Sequence, residues 1–172
     1  IEDIRAVSAR IKAANPSCVV FVDNCYGEFV DIVEPTEIPT VDIMAGSLIK
    51  NPGGGLAPTG GYIAGRSELV EMASYRLTAP GMGDELGASL ISNRLLFQGL
   101  FLAPHVVAQA LKGAVFAAGI FEGLGYHTFP RLEDERSDII QAIILRNPER
   151  LKAFARAIQS MSPVDSFAAP EP

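Results

Sequence analysis

One stretch of fourteen residues constrains the fold more than any other: Asp42-Ile43-Met44-Ala45-Gly46-Ser47-Leu48-Ile49-Lys50-Asn51-Pro52-Gly53-Gly54-Gly55. An apolar run suited to a buried strand carries a single lysine to its end, and three glycines follow. Lysine is costly to bury and its amine is a strong point charge, so this position suggests an amine presented to a bound ligand.

The other strand-like segments frame that lysine. Ile4, Val7, Ile11 and Ala14 share one face of a helix running to Asn15, which Pro16 ends. Cys18 to Val22 is a continuous apolar run, as in a strand covered on both faces of a parallel sheet, and Asp23 stands at its carboxyl end. Turn residues Gly27, Pro35 and Pro39 separate it from a second short strand over Val41 to Ser47, and Gly60 to Gly65 forms a third. Ser67, with Glu68 and Glu71 after it, caps a helix to about Arg76. Asp84 caps the next, with Leu86, Leu90, Asn93 and Phe97 at helical spacing until Pro104 restarts or kinks it; Val107, Leu111, Val115 and Phe121 continue to Gly123. After an acidic turn at 131–136, a strand over Asp138 to Leu145 and a helix from Asn147-Pro148-Glu149 through Met161 begin a second, smaller domain. The expected class is α/β, with residues 1–100 in a large domain, 101–125 a bridging helix, and 126–172 the opening of an α+β small domain.

Composition limits the function. With 172 residues, 48% hydrophobic and 20% charged, the chain can bury a sizeable core. A net charge of −6 without a basic run argues against nucleic-acid or acidic-membrane partners. Cys18 and Cys25 fit reduced thiols in a cytoplasmic protein, Cys18 as a core residue, and neither they nor His105 and His127 show metal-ligand spacing. No signal-peptide pattern opens the chain, and 104–121 reads as a buried helix too short and too polar for a bilayer span. Neither end carries a closing element, so the chain reads as cut from a longer one.

No glycine precedes a lysine, which removes the P-loop reading. Gly81-Met82-Gly83-Asp84-Glu85-Leu86-Gly87 has the wrong spacing for a dinucleotide fingerprint and follows a loop, where that motif requires a strand.

The informative pair is Asp23 with Lys50. Both follow strand ends and so face the crevice in which open α/β sheets bind ligands. Pyridoxal 5′-phosphate (PLP) chemistry needs such a pair: an amine to condense with the cofactor aldehyde, and a carboxylate to keep the pyridine nitrogen protonated. The lysine then serves as a base at Cα, for which its pKa must be lowered, as burial tends to do. Ser47 offers a hydroxyl to the phosphate, and Tyr26 reaches the ring or a leaving group. Spacing alone also permits a turn-capping Asp23, a solvated Lys50, a packing Tyr26 and glycines that merely join two strands.

A resemblance narrows these choices. The segments Val20-Phe21-Val22-Asp23-Asn24-Cys25-Tyr26-Gly27-Glu28-Phe29-Val30 and 45–65, with Tyr75 to Gly81, Gln98 to Val107 and Ser162 to Phe167, resemble the methionine gamma-lyase family, also called aluminium resistance proteins. The resemblance implies a PLP-dependent enzyme of the aspartate-aminotransferase type (fold type I), with Lys50 as the Schiff-base residue and Asp23 as the pyridinium partner. It further implies carbon–sulfur lyase activity on a sulfur-containing amino acid, in a homotetramer of close dimers. Members are much longer, and no position here matches their substrate-carboxylate arginine; Arg66 and Arg76 are basic residues near the lysine in sequence. A catalytically incomplete piece, a noncatalytic paralogue, and a cofactor-free Schiff-base lyase are the alternatives.

Overall fold

The computed structural model describes residues 1–85, 87 and 93–170. The chain divides into two compact units, Ile1–Gly113 with Arg136–Ile140, and Ala114–Glu135 with Gln141–Pro172.

The first unit opens with α1 (Glu2–Ala14), whose first turn carries Glu2 and Asp3 and whose last carries Lys12, the polarity a helix dipole favours. Asn15 leaves the helix in an extended conformation and Pro16 prevents its continuation. Ile4 and Ile11 pack with Ile1 and Val22 onto a buried cluster of Val20, Ile38 and Val41. Val7, expected on the same face, is instead 56% exposed, and the buried residue of the helix is Ser8, whose hydroxyl pairs with that of Thr40 at 2.6 Å.

Three strands follow: β1 (Phe21–Asp23), β2 (Ile43–Ser47) and β3 (Gly61–Gly65), in the spatial order β1-β2-β3. β1 and β2 are parallel, with Phe21 opposite Ile43 and Asp23 opposite Ala45; β2 and β3 are antiparallel, with Ser47 opposite Gly61. The parallel expectation therefore holds for one pair only, because the short connection from β2 to β3 has no crossover helix, which parallel pairing requires. β1 is also shorter than the run Cys18–Val22 and is not covered on both faces: Phe21 is 57% exposed. Cys18 lies before the strand, partly exposed, with its carbonyl accepting Lys12 Nζ at 2.7 Å, so it is not a core residue.

Asp42, immediately before β2, ties these elements together. Its buried carboxylate accepts from Lys12 Nζ at 2.6 Å, from the Val20 N–H at 2.8 Å and from Arg66 at 2.9 Å, while its carbonyl accepts the Arg66 N–H. One side chain thus joins α1, the start of β1 and the residue after β3. Arg66, the N-cap of α2 (Ser67–Leu77), also pairs with Glu68; Ser67 is the first helical residue and not the cap.

Only part of the start of the expected helix from Asp84, Leu86 and 88–92, lies outside the described residues; Asp84 itself lies in a turn. From Asn93 a single helix, α3 (Asn93–Gly123), runs through Pro104 without a break. It is less buried than expected: Phe97, Phe101 and Phe116 are 68%, 84% and 70% exposed, and by length and composition α3 could cross a membrane. Gly99 on α3 touches the glycine loop after Lys50: a Cβ on Gly99 would lie 2.2 Å from the Gly53 carbonyl oxygen, and a Cβ on Gly54 2.2 Å from that of Gly99. Two backbones meet there at a distance only glycine permits.

In the second unit β4 (His127–Phe129) pairs antiparallel with β5 (Ala142–Ile144), and α4 (Pro148–Ser160) follows. The expected strand over Asp138 to Leu145 shrinks to Ala142–Ile144, and β4 forms in a stretch to which the sequence assigns no element, just before the acidic turn at 131–136. Asn147 caps α4 by accepting from the Glu149 and Arg150 N–H groups. Phe121 packs edge-on against Tyr126 and Phe154, with ring centroids 5.8 and 5.7 Å away.

Candidate active site

Parallel pairing puts the carboxyl ends of β1 and β2 on the same sheet edge, and the chain delivers Asp23 to one end and Ser47, then Lys50, to the other. The Lys50 N–H closes a turn on the Ser47 carbonyl at 3.2 Å, which folds the lysine back beside the strand end.

Asp23 is exposed, and its Oδ1 accepts the Cys25 backbone N–H at 3.1 Å. That bond, a side-chain bond with Cys25 and the nearby charge of Lys50 hold its carboxyl below the usual carboxylate range. Asp23 is therefore ionised across the physiological range, as a partner for a protonated ring nitrogen must be.

Lys50 is half-buried, with Nζ 4.3 Å from the centroid of the Tyr26 ring, within cation–π range. The Cys25 side chain, by hydrogen bonding, raises the amine pKa above the ordinary lysine value; desolvation opposes this, and Tyr26 adds to it. The sequence had suggested a pKa lowered by burial. The direction reverses because the groups facing the amine stabilise its charge more than partial burial penalises it.

Tyr26 reaches the lysine because its loop adopts an unusual path. Tyr26 and Phe29 have φ of 75° and 63°, in the left-handed region that non-glycine residues seldom enter. Side chains pin this loop. The Asn51 amide donates to the carbonyls of Tyr26 and Glu28, both at 3.0 Å, and Glu34 accepts from the Phe29 N–H at 2.9 Å and from Asn24 at 2.8 Å. Glu28 is buried; its Oε1 accepts the Tyr62 hydroxyl at 2.8 Å, and its Oε2 has no partner among the described residues. Burial pushes the Glu28 carboxyl up, and burial with the Glu28 contact pushes the Tyr62 phenol up.

Ser47 is half-buried, and its hydroxyl makes no hydrogen bond among the described residues. Gly53 and Gly54 are buried against α3, whereas Gly55, at φ 75°, has open space where a Cβ would project. The glycine run thus serves packing at its first two positions and is open only at its third. No group of three or more His, Cys, Asp or Glu among the described residues is placed to hold a metal.

The structure brings Asp23, Tyr26, Ser47 and Lys50 to one edge, and adds residues to which sequence reasoning assigned no role there. Sequence spacing marks Cys25 only as a thiol and assigns no role to Asn51, Glu28, Tyr62 or Gly99. A buried amide beside a lysine loop signals backbone carbonyls in need of donors, which is the cue Asn51 offered.

The α/β fold that carries these residues matches cystathionine beta-lyase-like structures over part of their length. A provisionally assigned cystathionine beta-lyase involved in aluminium resistance from Listeria monocytogenes superposes with a TM-score of 0.94 at 53% identity, covering 99% of this chain and 42% of that one. A carbon–sulfur lyase involved in aluminium resistance from Clostridium novyi superposes with a TM-score of 0.94 at 48% identity, covering 99% and 41%. The chain belongs to the methionine gamma-lyase family, which it matches over residues 1–172. Protein YnbB of Bacillus subtilis is 50% identical over all 172 residues, which span 41% of its length, and the 33.9 kDa protein in the glnA 5′ region of Lactobacillus delbrueckii is 49% identical, with 56% of its length spanned.

Proposed function

We propose that the full-length protein is a PLP-dependent carbon–sulfur lyase that eliminates a thiol from a sulfur-containing amino acid, in the manner of methionine gamma-lyases or cystathionine beta-lyases. The observation that carries this reading is the placement of an ionised Asp23 and the amine of Lys50 at the carboxyl edge of one parallel strand pair, in a chain of this family.

The residues present fit the cofactor. Lys50 would hold its carbonyl carbon, Asp23 its ring nitrogen and Ser47, through the unengaged hydroxyl, its phosphate. When bound, PLP supplies an electron sink that stabilises negative charge at the substrate Cα.

Around that group the chain's own residues manage charge and protons. Asp23, fixed by the Cys25 N–H, stays ionised and would keep the cofactor's ring nitrogen protonated. Lys50 Nζ, once neutral and released, takes the Cα proton of the substrate. The resulting ammonium is stabilised by the Cys25 side chain and the Tyr26 ring face, so the groups that raise the lysine pKa also strengthen it as a base. This chain spans about half the length or less of its curated relatives, and by itself is expected to bind cofactor weakly and not turn over.

Titrating the full-length protein with PLP and recording its visible spectrum tests the reading. A lysine-bound cofactor band should form and disappear in Lys50→Ala, and sulfur amino acids should yield a free thiol, a 2-oxo acid and ammonia. No band with Lys50 intact, or the same band without it, would overturn the proposal.

A further inference from the structure

Asn51 immediately follows the lysine and is 5% exposed, yet it carries no chemistry that the proposed reaction needs. Its two amide N–H groups are spent on the carbonyls of Tyr26 and Glu28, on a loop more than twenty residues away in sequence. Buried amide donors are usually satisfied locally or by water, and two donors committed to one distant loop make a cross-brace. On its other side the same lysine turn is seated on α3 through the Gly53, Gly54 and Gly99 backbones. The turn bearing Lys50 is thereby clamped between α3 and the Tyr26 loop.

The clamped loop is not in a relaxed conformation. Tyr26 has a φ of 75°, a conformation that costs energy for a residue with a side chain and persists only where surroundings impose it. One of the two carbonyls that Asn51 grips is that of Tyr26, whose ring receives the lysine amine. The groups facing Nζ are Cys25 and Tyr26, with Asp23 beside them, and all three belong to the segment whose path Asn51 sets.

From this we infer that Asn51 is a positioning residue for the lyase reaction, resting on the proposed role of Lys50: its side-chain amide locks the Tyr26 loop against the lysine turn and so fixes where the Lys50 amine stands. Glu28 and Tyr62 support the same loop from beneath, through the 2.8 Å bond between them. Removing the amide donors leaves the Tyr26 and Glu28 carbonyls unpaired, frees the left-handed turn to relax, and withdraws Cys25 and Tyr26 from the amine.

The test uses the full-length protein and Asn51→Asp, which keeps shape but replaces the donor nitrogen with an oxygen facing two carbonyls. Its readouts are the Lys50 amine pKa, from the pH dependence of its chemical labelling without cofactor, and the kinetic constants with PLP. The amine pKa should fall toward that of an ordinary lysine, and kcat should fall at least roughly tenfold while KM changes little, as expected when alignment is lost and binding is not. Asn51→Ser, which restores one donor, should recover part of both effects and serves if the aspartate variant does not fold. Asn147→Ala, which removes the cap of α4, supplies a destabilised control whose Lys50 pKa should not move. An unchanged amine pKa and an unchanged kcat in folded Asn51 variants would overturn the inference while leaving the PLP reading intact. A shifted amine pKa in a protein that forms no cofactor band would sustain the brace and defeat the PLP reading.

Discussion

Lys50 Nζ lies 4.3 Å from the centre of the Tyr26 ring, although the two residues are on different loops and Tyr26 turns through a left-handed backbone to reach it. In the proposed reaction Lys50 acts as a neutral nucleophile, yet it is held by groups that favour its ammonium form. The conflict is resolved if the same groups stabilise the ammonium produced when the lysine removes a proton from substrate.

Cys25 leads in raising the Lys50 pKa, so its removal should lower it. In Cys25→Ala the midpoint for amine labelling of Lys50 should shift down toward 10.5, the ordinary lysine value, whereas Cys18→Ala should leave it in place. An unshifted midpoint in Cys25→Ala would remove the thiol from the account of this amine.

Asp42 should dominate the acid sensitivity of the first unit. Lys12, the Val20 N–H and Arg66 hold its carboxyl well below the usual range. A depressed folded-state pKa contributes stability that is complete above the unfolded value of 3.8 and is lost as pH falls below it. Asp42→Asn, leaving Lys12 and Arg66 without their carboxylate, should cost about 3 kcal/mol near neutrality, and the deficit should shrink as the pH drops below 3.8. Denaturant titrations at several pH values measure this, and a deficit independent of pH would refute the assignment.

Glu28 should behave in the opposite sense. Its carboxyl is raised by burial, so the folded state disfavours ionisation and loses stability as pH rises through 4.5, the unfolded value, toward the higher folded one. Glu28→Gln removes that titration, and its melting temperature relative to the parent should climb over this range. A difference that stays flat with pH would show that Glu28 titrates as though exposed.

Gly99 and Gly113 lie on the same helix but should respond differently to alanine. At Gly99 the added methyl would lie 2.2 Å from the Gly53 carbonyl oxygen, and separating the two backbones should cost about 1–3 kcal/mol and weaken PLP binding through the lysine turn. At Gly113 nothing lies within 4 Å, and alanine should be neutral or stabilise by up to about 1 kcal/mol. Thermal melts of the two variants make the comparison; equal effects would mean that the contact with the glycine loop does not govern Gly99.

Much was legible in the chain because local rules were sufficient for it. Pro16 ended α1, Asn147-Pro148 started α4, and apolar runs located three strands to within a few residues, since these signals depend on neighbours in sequence. The errors share a cause in distant contacts. The antiparallel run of β3, the exposure of Phe21 and the thinness of β5 depend on what each segment pairs with or lies beneath, which periodicity does not encode. Val7 was misread because its helical face is wider than the cluster it packs on.

The sequence by itself determined that an aspartate closes one strand and a lysine follows the next within a few residues, and its long motifs pointed to the methionine gamma-lyase family. Only the tertiary structure decided that both strands run in parallel to one edge, that Cys25 and Tyr26 meet the amine and raise its pKa, and that Asn51, Gly53, Gly54 and Gly99 hold the lysine turn from both sides. The strand ends are local features of composition, whereas an amine's protonation and position depend on groups that approach through space from elsewhere in the chain.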